Sequence, residues 1–175
     1  MKSSKTKKLV LSAMFLCIGL VLPFLTGQIK EIGDSLLPMH LPVMLCGLIC
    51  GPGYGLTVGL MLPFVRSLTF GMPPIYPNAV WMALELATYG FIIGIIYFHF
   101  KSKGYKALYI SLIAAMLSGR LVWGVSKALL LGLGGKAFTV AMFVSGGFID
   151  SFPGIILQLI LIPFITRMVE NRRDA

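Results

Sequence analysis

The sequence predicts an all-α integral membrane protein: a compact bundle of six transmembrane helices with both termini in the cytoplasm. Three observations lead there. Of the 175 residues, 57% are hydrophobic and 12% charged, and the mean hydropathy is +0.91. An ordinary soluble domain is about a quarter charged, so the charge here is too sparse to cover a surface facing water. The apolar residues also fall in runs of spanning length, since a hydrocarbon core about 30 Å thick needs roughly 20 residues at about 1.5 Å each. Finally, the cationic excess, 15 Lys and Arg against 6 Asp and Glu, is unevenly divided between the segments that join those runs.

The first run covers residues 9–25 and follows Lys2, Lys5, Lys7 and Lys8. Lysines before an apolar stretch also open a signal peptide, but no small-x-small cleavage site follows and further hydrophobic runs do. A retained first helix is the reading. Runs 36–50 and 53–68 are short. Pro38, His40 and Pro42 stand in one, Pro63 and Arg66 in the other, and such segments suit a broken, tightly packed hairpin about the Gly-Pro-Gly-Tyr-Gly turn at 51–55. Runs 75–100 and 107–133 are long, and 144–165 is the sixth. With the N-terminus inside, the cytoplasmic pieces hold Lys2, Lys5, Lys7, Lys8, Lys101, Lys103, Lys106, Arg167, Arg172 and Arg173, while the outer loops hold only Lys30 and Lys136. That bias sets the orientation and accounts for the net charge of +9 without nucleic acid. The whole chain, 1–175, reads as one membrane domain. Cys17, Cys46 and Cys50 lie in apolar runs, make no metal-ligand pattern with His40 and His99, and read as small packing residues.

Charged groups inside the spans are costly unless paired or hydrated, and each is a default pointer to function. Arg66, Glu85, Arg120, Lys127 and Asp150 all fall in the outer half of the membrane. Helical spacing groups them. Asn78, Trp81 and Glu85 follow i, i+3, i+7 on the fourth span, and Arg120, Trp123 and Lys127 repeat that spacing on the fifth. Asp150, Gly154 and Gln158 form an i, i+4, i+8 stripe on the sixth. Together the three stripes line a pocket open to the outside. Each residue also has a plainer reading. Glu85 with Arg120 suits a buried ion pair, Lys127 a side chain snorkelling to the interface, Trp81 and Trp123 an aromatic belt. His40 suits a hydrogen-bonded loop anchor, and Asp150 a helix cap. No motif for metal hydrolysis, a serine nucleophile or a phosphate-cradling loop is present, so the expected role is binding or conduction rather than catalysis.

Several stretches resemble the substrate-binding subunits (S-components) of energy-coupling-factor (ECF) vitamin transporters: His-Leu-Pro-Val at 40–43, Gly-Pro-Gly-Tyr-Gly-Leu-Thr-Val-Gly at 51–59, Gly-Met-Pro-Pro at 71–74 and Glu-Leu-Ala-Thr-Tyr-Gly at 85–90. The resemblance covers nearly the whole chain. It implies a high-affinity binder of a vitamin or related micronutrient in the bacterial cell membrane. Such a subunit works with a transmembrane coupling subunit and two cytoplasmic ATPases, so this chain carries no cofactor and ATP is used by its partners. The family's Ala-x-x-x-Ala contact for the coupling subunit matches Ala13 and Cys17 in spacing, with Cys in place of the second Ala. Small residues there also suit packing within the chain's own bundle. The family's pocket lies on the outer side, which here implies ligand contacts from Arg120, Glu85, Asn78, Trp81, Trp123, Lys127, Asp150, Gln158, Arg66 and His40. The loops 26–35 and 69–77 would cover it, with Gly71 as a hinge. Arg120 or Arg66 suits the carboxylate of a ligand such as pantothenate, and a neutral heterocycle stacked on Trp81 and Trp123 also fits. A second class, the stand-alone secondary transporter, would use Glu85 and Asp150 as proton carriers. It needs an ionisable path through the inner half, where the spans supply none.

Overall fold

The computed structural model describes residues 5–26, 35–100, 104–135 and 137–174. Among these, seven α-helices follow one another: α1 (Lys5–Val21), α2 (His40–Cys50), α3 (Pro52–Phe70), α4 (Val80–His99), α5 (Tyr105–Leu133), α6 (Val140–Val144) and α7 (Phe152–Asp174). Four stretches are long and apolar enough to cross a membrane: Lys5–Leu25, Ile75–His99, Tyr105–Gly132 and Phe152–Val169. The expectation of an all-α protein with several spans holds. Of the six expected spans, 9–25, 75–100, 107–133 and 144–165 overlap these stretches, and the two short ones, 36–50 and 53–68, do not.

The differences have local causes. α2 has 11 residues, about 16 Å at 1.5 Å each, which is half a hydrocarbon core. α3 has 19 residues, but Arg66, three glycines and two prolines dilute its apolar character. The fourth span opens with a π-turn, Ile75–Ala79, kinked at Tyr76, and is regular only from Val80. The sixth span was expected to start at Val144 and instead breaks. α6 ends there, a π-turn occupies Ser145–Ile149, and a new helix begins at Phe152. Pro153 explains the restart, since proline is tolerated in a first turn and not in a helix interior. Ser151 Oγ donates to Gly146 O at 2.9 Å across the break.

α2 is buried almost all round, as a helix apolar on every side should be. It packs against α1, α3, α4 and α7. The approach of α2, α3 and α4 is closest where glycines meet. A Cβ at Gly47 would strike Gly90 O, one at Gly90 would strike the Gly55 backbone, and one at Gly59 would lie 2.5 Å from Leu86 O. In lipid, where hydrophobicity does not drive helices together, such backbone-to-backbone packing is a main source of association. Gly51, at φ +115° between α2 and α3, takes a backbone conformation other residues rarely adopt. On the outside, Leu117, Leu121, Val125 and Leu129 of α5 and Ile156, Ile160 and Phe164 of α7 form exposed apolar stripes. Surfaces of that extent face lipid or a partner.

Arg66 is explained by the fold. Its Nη1 donates to Leu20 O at 2.7 Å, at the end of α1 where carbonyls lack helical partners. Its guanidinium lies 5.3 Å from the Phe24 ring and 5.5 Å from the Phe70 ring. Arg66→Ala is expected to cost about 1.5–3 kcal/mol, the value of a hydrogen bond to a charged group. The unfolding midpoint in detergent should fall while ligand affinity stays unchanged. Reduced affinity at an unchanged midpoint would return Arg66 to the ligand site.

Candidate functional site

The buried charges meet where α2, α4 and α5 converge. Glu85, Arg120 and His40 are 2%, 4% and 3% exposed. They are carried to one level by the first turn of α2, the second turn of α4 and the middle of α5. Arg120 Nη1 donates to Glu85 Oε1 at 3.0 Å. His40 Nε2 stands 3.3 Å from the same oxygen, but neither ring nitrogen is aligned for a hydrogen bond. The imidazole packs edge-on against Tyr89 with centroids 5.0 Å apart. Glu85 and Arg120 therefore neutralise each other in a dry setting, where each alone would be strongly unfavourable.

Arg120 keeps a second guanidinium nitrogen, Nη2, that the Glu85 contact does not use. A cavity of about 220 Å³ lies between α4, α5 and α7, walled among others by Leu37, Tyr89, Met116, Arg120, Ile155 and Gln158. Arg120 Nη2 and Gln158 Nε2 are both buried and have no hydrogen-bond partner in the protein. An unmet buried donor costs about 1–3 kcal/mol, more when charged. Both of these nitrogens belong to residues that line the cavity. The other walls are Tyr89 and side chains of Leu, Ile, Met and Phe, so a molecule there would be held mainly by contact.

Toward one end of α5 the second cluster forms. Lys127 Nζ lies 4.5, 5.5 and 5.6 Å from the rings of Trp123, Trp81 and Phe138, and the Arg120 guanidinium is 5.9 Å from Trp123. Trp123 thus stands between two cations, joining the clusters by cation–π contact. Lys127 is held among aromatic rings and only half-buried, rather than reaching away from them.

The structure brings together Arg120, Glu85, His40, Trp81, Trp123 and Lys127, and places Gln158 on the same cavity as Arg120. It separates three others. Arg66 serves α1 as described. Asp150 is exposed, sits in the break before α7 rather than on it, and accepts from Ser145 Oγ at 3.2 Å. Of its expected stripe only Gly154 and Gln158 share a helix, and Gly154 lies against the Ser35 and Leu36 backbone. Asn78 is half-buried in the kinked entry to α4. Tyr89 and Phe138 were not anticipated. Tyr89 stands i+4 from Glu85, on the stripe that already held Trp81, so the helical spacing carried it. Residues 27–34, most of the expected covering loop, and Lys2, Lys30, Lys101, Lys103 and Lys136 lie outside the described residues. Gly71, the expected hinge, ends α3 in the left-handed conformation at φ +72°, its N–H donating to Ser67 O at 2.9 Å. Ala13 and Cys17 are exposed, while Ser12 and Gly19 of the same helix are buried against the bundle. They do not pack inside the described bundle. Among the described residues no group of three or more His, Cys, Asp or Glu could hold a metal ion.

A helical bundle with four helices long and apolar enough to cross a membrane defines a class: a multi-pass membrane protein. The family comparison gives the particular member of that class. A family model described as ECF transporter, substrate-specific component matches residues 7–166. The chain belongs to that family, whose members are membrane subunits that bind a small molecule for uptake and work with an energising module. The comparison with curated proteins gave no match.

Proposed function

We propose that this chain is the membrane-embedded, high-affinity binding subunit for uptake of a vitamin or related micronutrient in a bacterial cell membrane. It crosses the bilayer as one six-segment domain with both termini cytoplasmic. A transmembrane coupling subunit and two ATPases drive transport, and this chain itself holds no cofactor and catalyses no reaction. The observation that carries the binding role is the cavity lined by Arg120 and Gln158, each with a buried side-chain nitrogen that has no hydrogen-bond partner among the described residues. Arg120 suits a carboxylate, and pantothenate is the first carboxylate-bearing vitamin to test. Ala13 and Cys17, exposed on α1 at a four-residue spacing, are the proposed contact with the coupling subunit.

One reconstitution tests the whole reading. Purified chain in sealed vesicles, given radiolabelled vitamins beginning with pantothenate, is expected to bind one saturably without accumulating it. With the coupling subunit and ATPases present, ATP should drive accumulation. Leu at both 13 and 17 should abolish accumulation and leave binding intact, because branched side chains hold two helices apart. Accumulation by the chain alone under a proton or sodium gradient would instead establish a secondary transporter.

A further inference from the structure

We infer that the groove at the lysine-bearing end of the bundle, between α1, the α2–α3 turn and the end of α4, is a docking site for an anionic phospholipid. The headgroup lies against Lys8 and an acyl chain follows the outer face of α4. The inference stands apart from the cavity beside Arg120 and from whatever that cavity binds.

Three elements meet at this end. α1 starts there at Lys5, α2 passes to α3 through Gly51, and α4 finishes at His99. The groove between them has a volume of about 570 Å³, within the range of about 300–1,000 Å³ that small-molecule sites occupy. Lys8, Cys50, Gly51, Gly53, Tyr54 and Phe98 are among the residues that line it. Cys50 is buried and Phe98 exposed, so the groove runs from the interior of the bundle to its outer surface. A Cβ at Gly51 or Gly53 would meet nothing within 4 Å. The main chain on that side is therefore open to close approach.

Charge decides what approaches. α1 opens with Lys5, Lys7 and Lys8. Lys5 and Lys8, three positions apart, share a face of the helix, and Lys8 is half-buried where it lines the groove. None of the chain's six acidic residues lies on α1, α2 or α3. Glu85, the acidic residue of α4, stands 13 positions before Phe98, about 20 Å along the helix. A cationic cluster at the very start of a spanning helix, with no acidic residue on the helices beside it, is the pattern that draws anionic lipid.

The apolar side of the groove distinguishes a lipid from a free anion. Phe91, Ile95 and Phe98 follow i, i+4, i+7 on α4 and are all exposed. They lead from the groove back toward the middle of the span. A phosphate alone would use the lysine and nothing else, whereas a phospholipid uses the lysine and this track together. A zwitterionic headgroup brings its own ammonium close to Lys8 and forfeits much of the attraction.

The test is native mass spectrometry of the purified full chain in detergent, titrated with phosphatidylglycerol and with phosphatidylcholine of the same acyl chains. Phosphatidylglycerol should bind about fivefold more tightly or better, the value of one Lys beside an anionic lipid. Lys8→Gln should remove most of that preference. Lys106→Gln takes the same charge from the start of α5, away from the groove lining, and should leave the preference in place. Gly53→Trp should fill the groove and weaken phosphatidylglycerol binding with every lysine still present. Glycerol phosphate, a headgroup without chains, should compete poorly. Equal affinity for the two lipids overturns the inference. So does a preference lowered alike by Lys8→Gln and Lys106→Gln, which would be surface charge without a site, and so does full binding by a folded Gly53→Trp variant. Effective competition by glycerol phosphate would make the groove a site for a free anion and remove the lipid. If Gly53→Trp does not fold, the two lysine variants decide the matter between them.

Discussion

Glu85→Ala is expected to lower unfolding stability in detergent by about 3–5 kcal/mol, the cost of leaving one member of a buried ion pair behind. The loss falls on Arg120, which is 4% exposed and would be left without its carboxylate, and the imidazole of His40 would lose the carboxylate that stands 3.3 Å away. Replacing both members at once is predicted to behave differently. Glu85→Met with Arg120→Met removes two charges and restores similar volume, a change that in other proteins is often neutral or stabilising. The double variant should therefore recover most of the stability. It should not recover ligand binding, because Arg120 Nη2 is gone. Stability measured by unfolding and affinity measured by ligand titration then separate two roles of one residue. A double variant that binds ligand normally would leave the pair a helix-to-helix tie and nothing more.

Gly90→Leu should be as severe for a different reason. At Gly90 the nearest atoms are the backbone of Gly55 on α3, and backbone cannot rotate out of the way. Admitting any side chain means moving α3 away from α4, and with it Gly47 on α2, whose own missing Cβ faces Gly90 O. A cost above about 4 kcal/mol is expected, in the range reserved for specific structural damage. The yield of folded chain should fall along with the unfolding midpoint. Gly132→Leu is the control. Nothing lies within 4 Å of a Cβ there, so its effect should stay within about 0.5 kcal/mol. Equal midpoints for the two variants would mean that α3 and α4 do not approach as closely as described.

The helical and membrane character of the chain was legible because hydropathy and charge placement both follow from the cost of putting polar groups in lipid. Trp81, Glu85, Arg120, Trp123 and Lys127 were legible as neighbours because helical spacing shows which residues share a face. Other features turn on contacts between segments distant in sequence. Arg66 looked like its neighbours in the outer half until Leu20 O appeared as its partner, 46 positions away. The break before α7 lay hidden because hydropathy runs unbroken through Gly146 and Gly147, residues spanning helices tolerate. The glycines at 47, 55 and 59 have partners at Gly90 and Leu86 that could be found only in three dimensions. Tyr89 was passed over because an aromatic in an apolar run reads as packing.

The glycine contacts among α2, α3 and α4 have one more consequence. They are made between main chains, so their geometry asks nothing of the neighbouring side chains. Apart from Tyr89 and Leu37, the cavity walls come from α5, α7 and the turn before α7, and are formed mostly by side chains. Exchanges at Met116, Ile155 or Gln158 can thus change the shape and polarity of the cavity while the scaffold beside it is unaffected. A chain built this way can acquire a new ligand by a few substitutions in one half, without having to rediscover its fold.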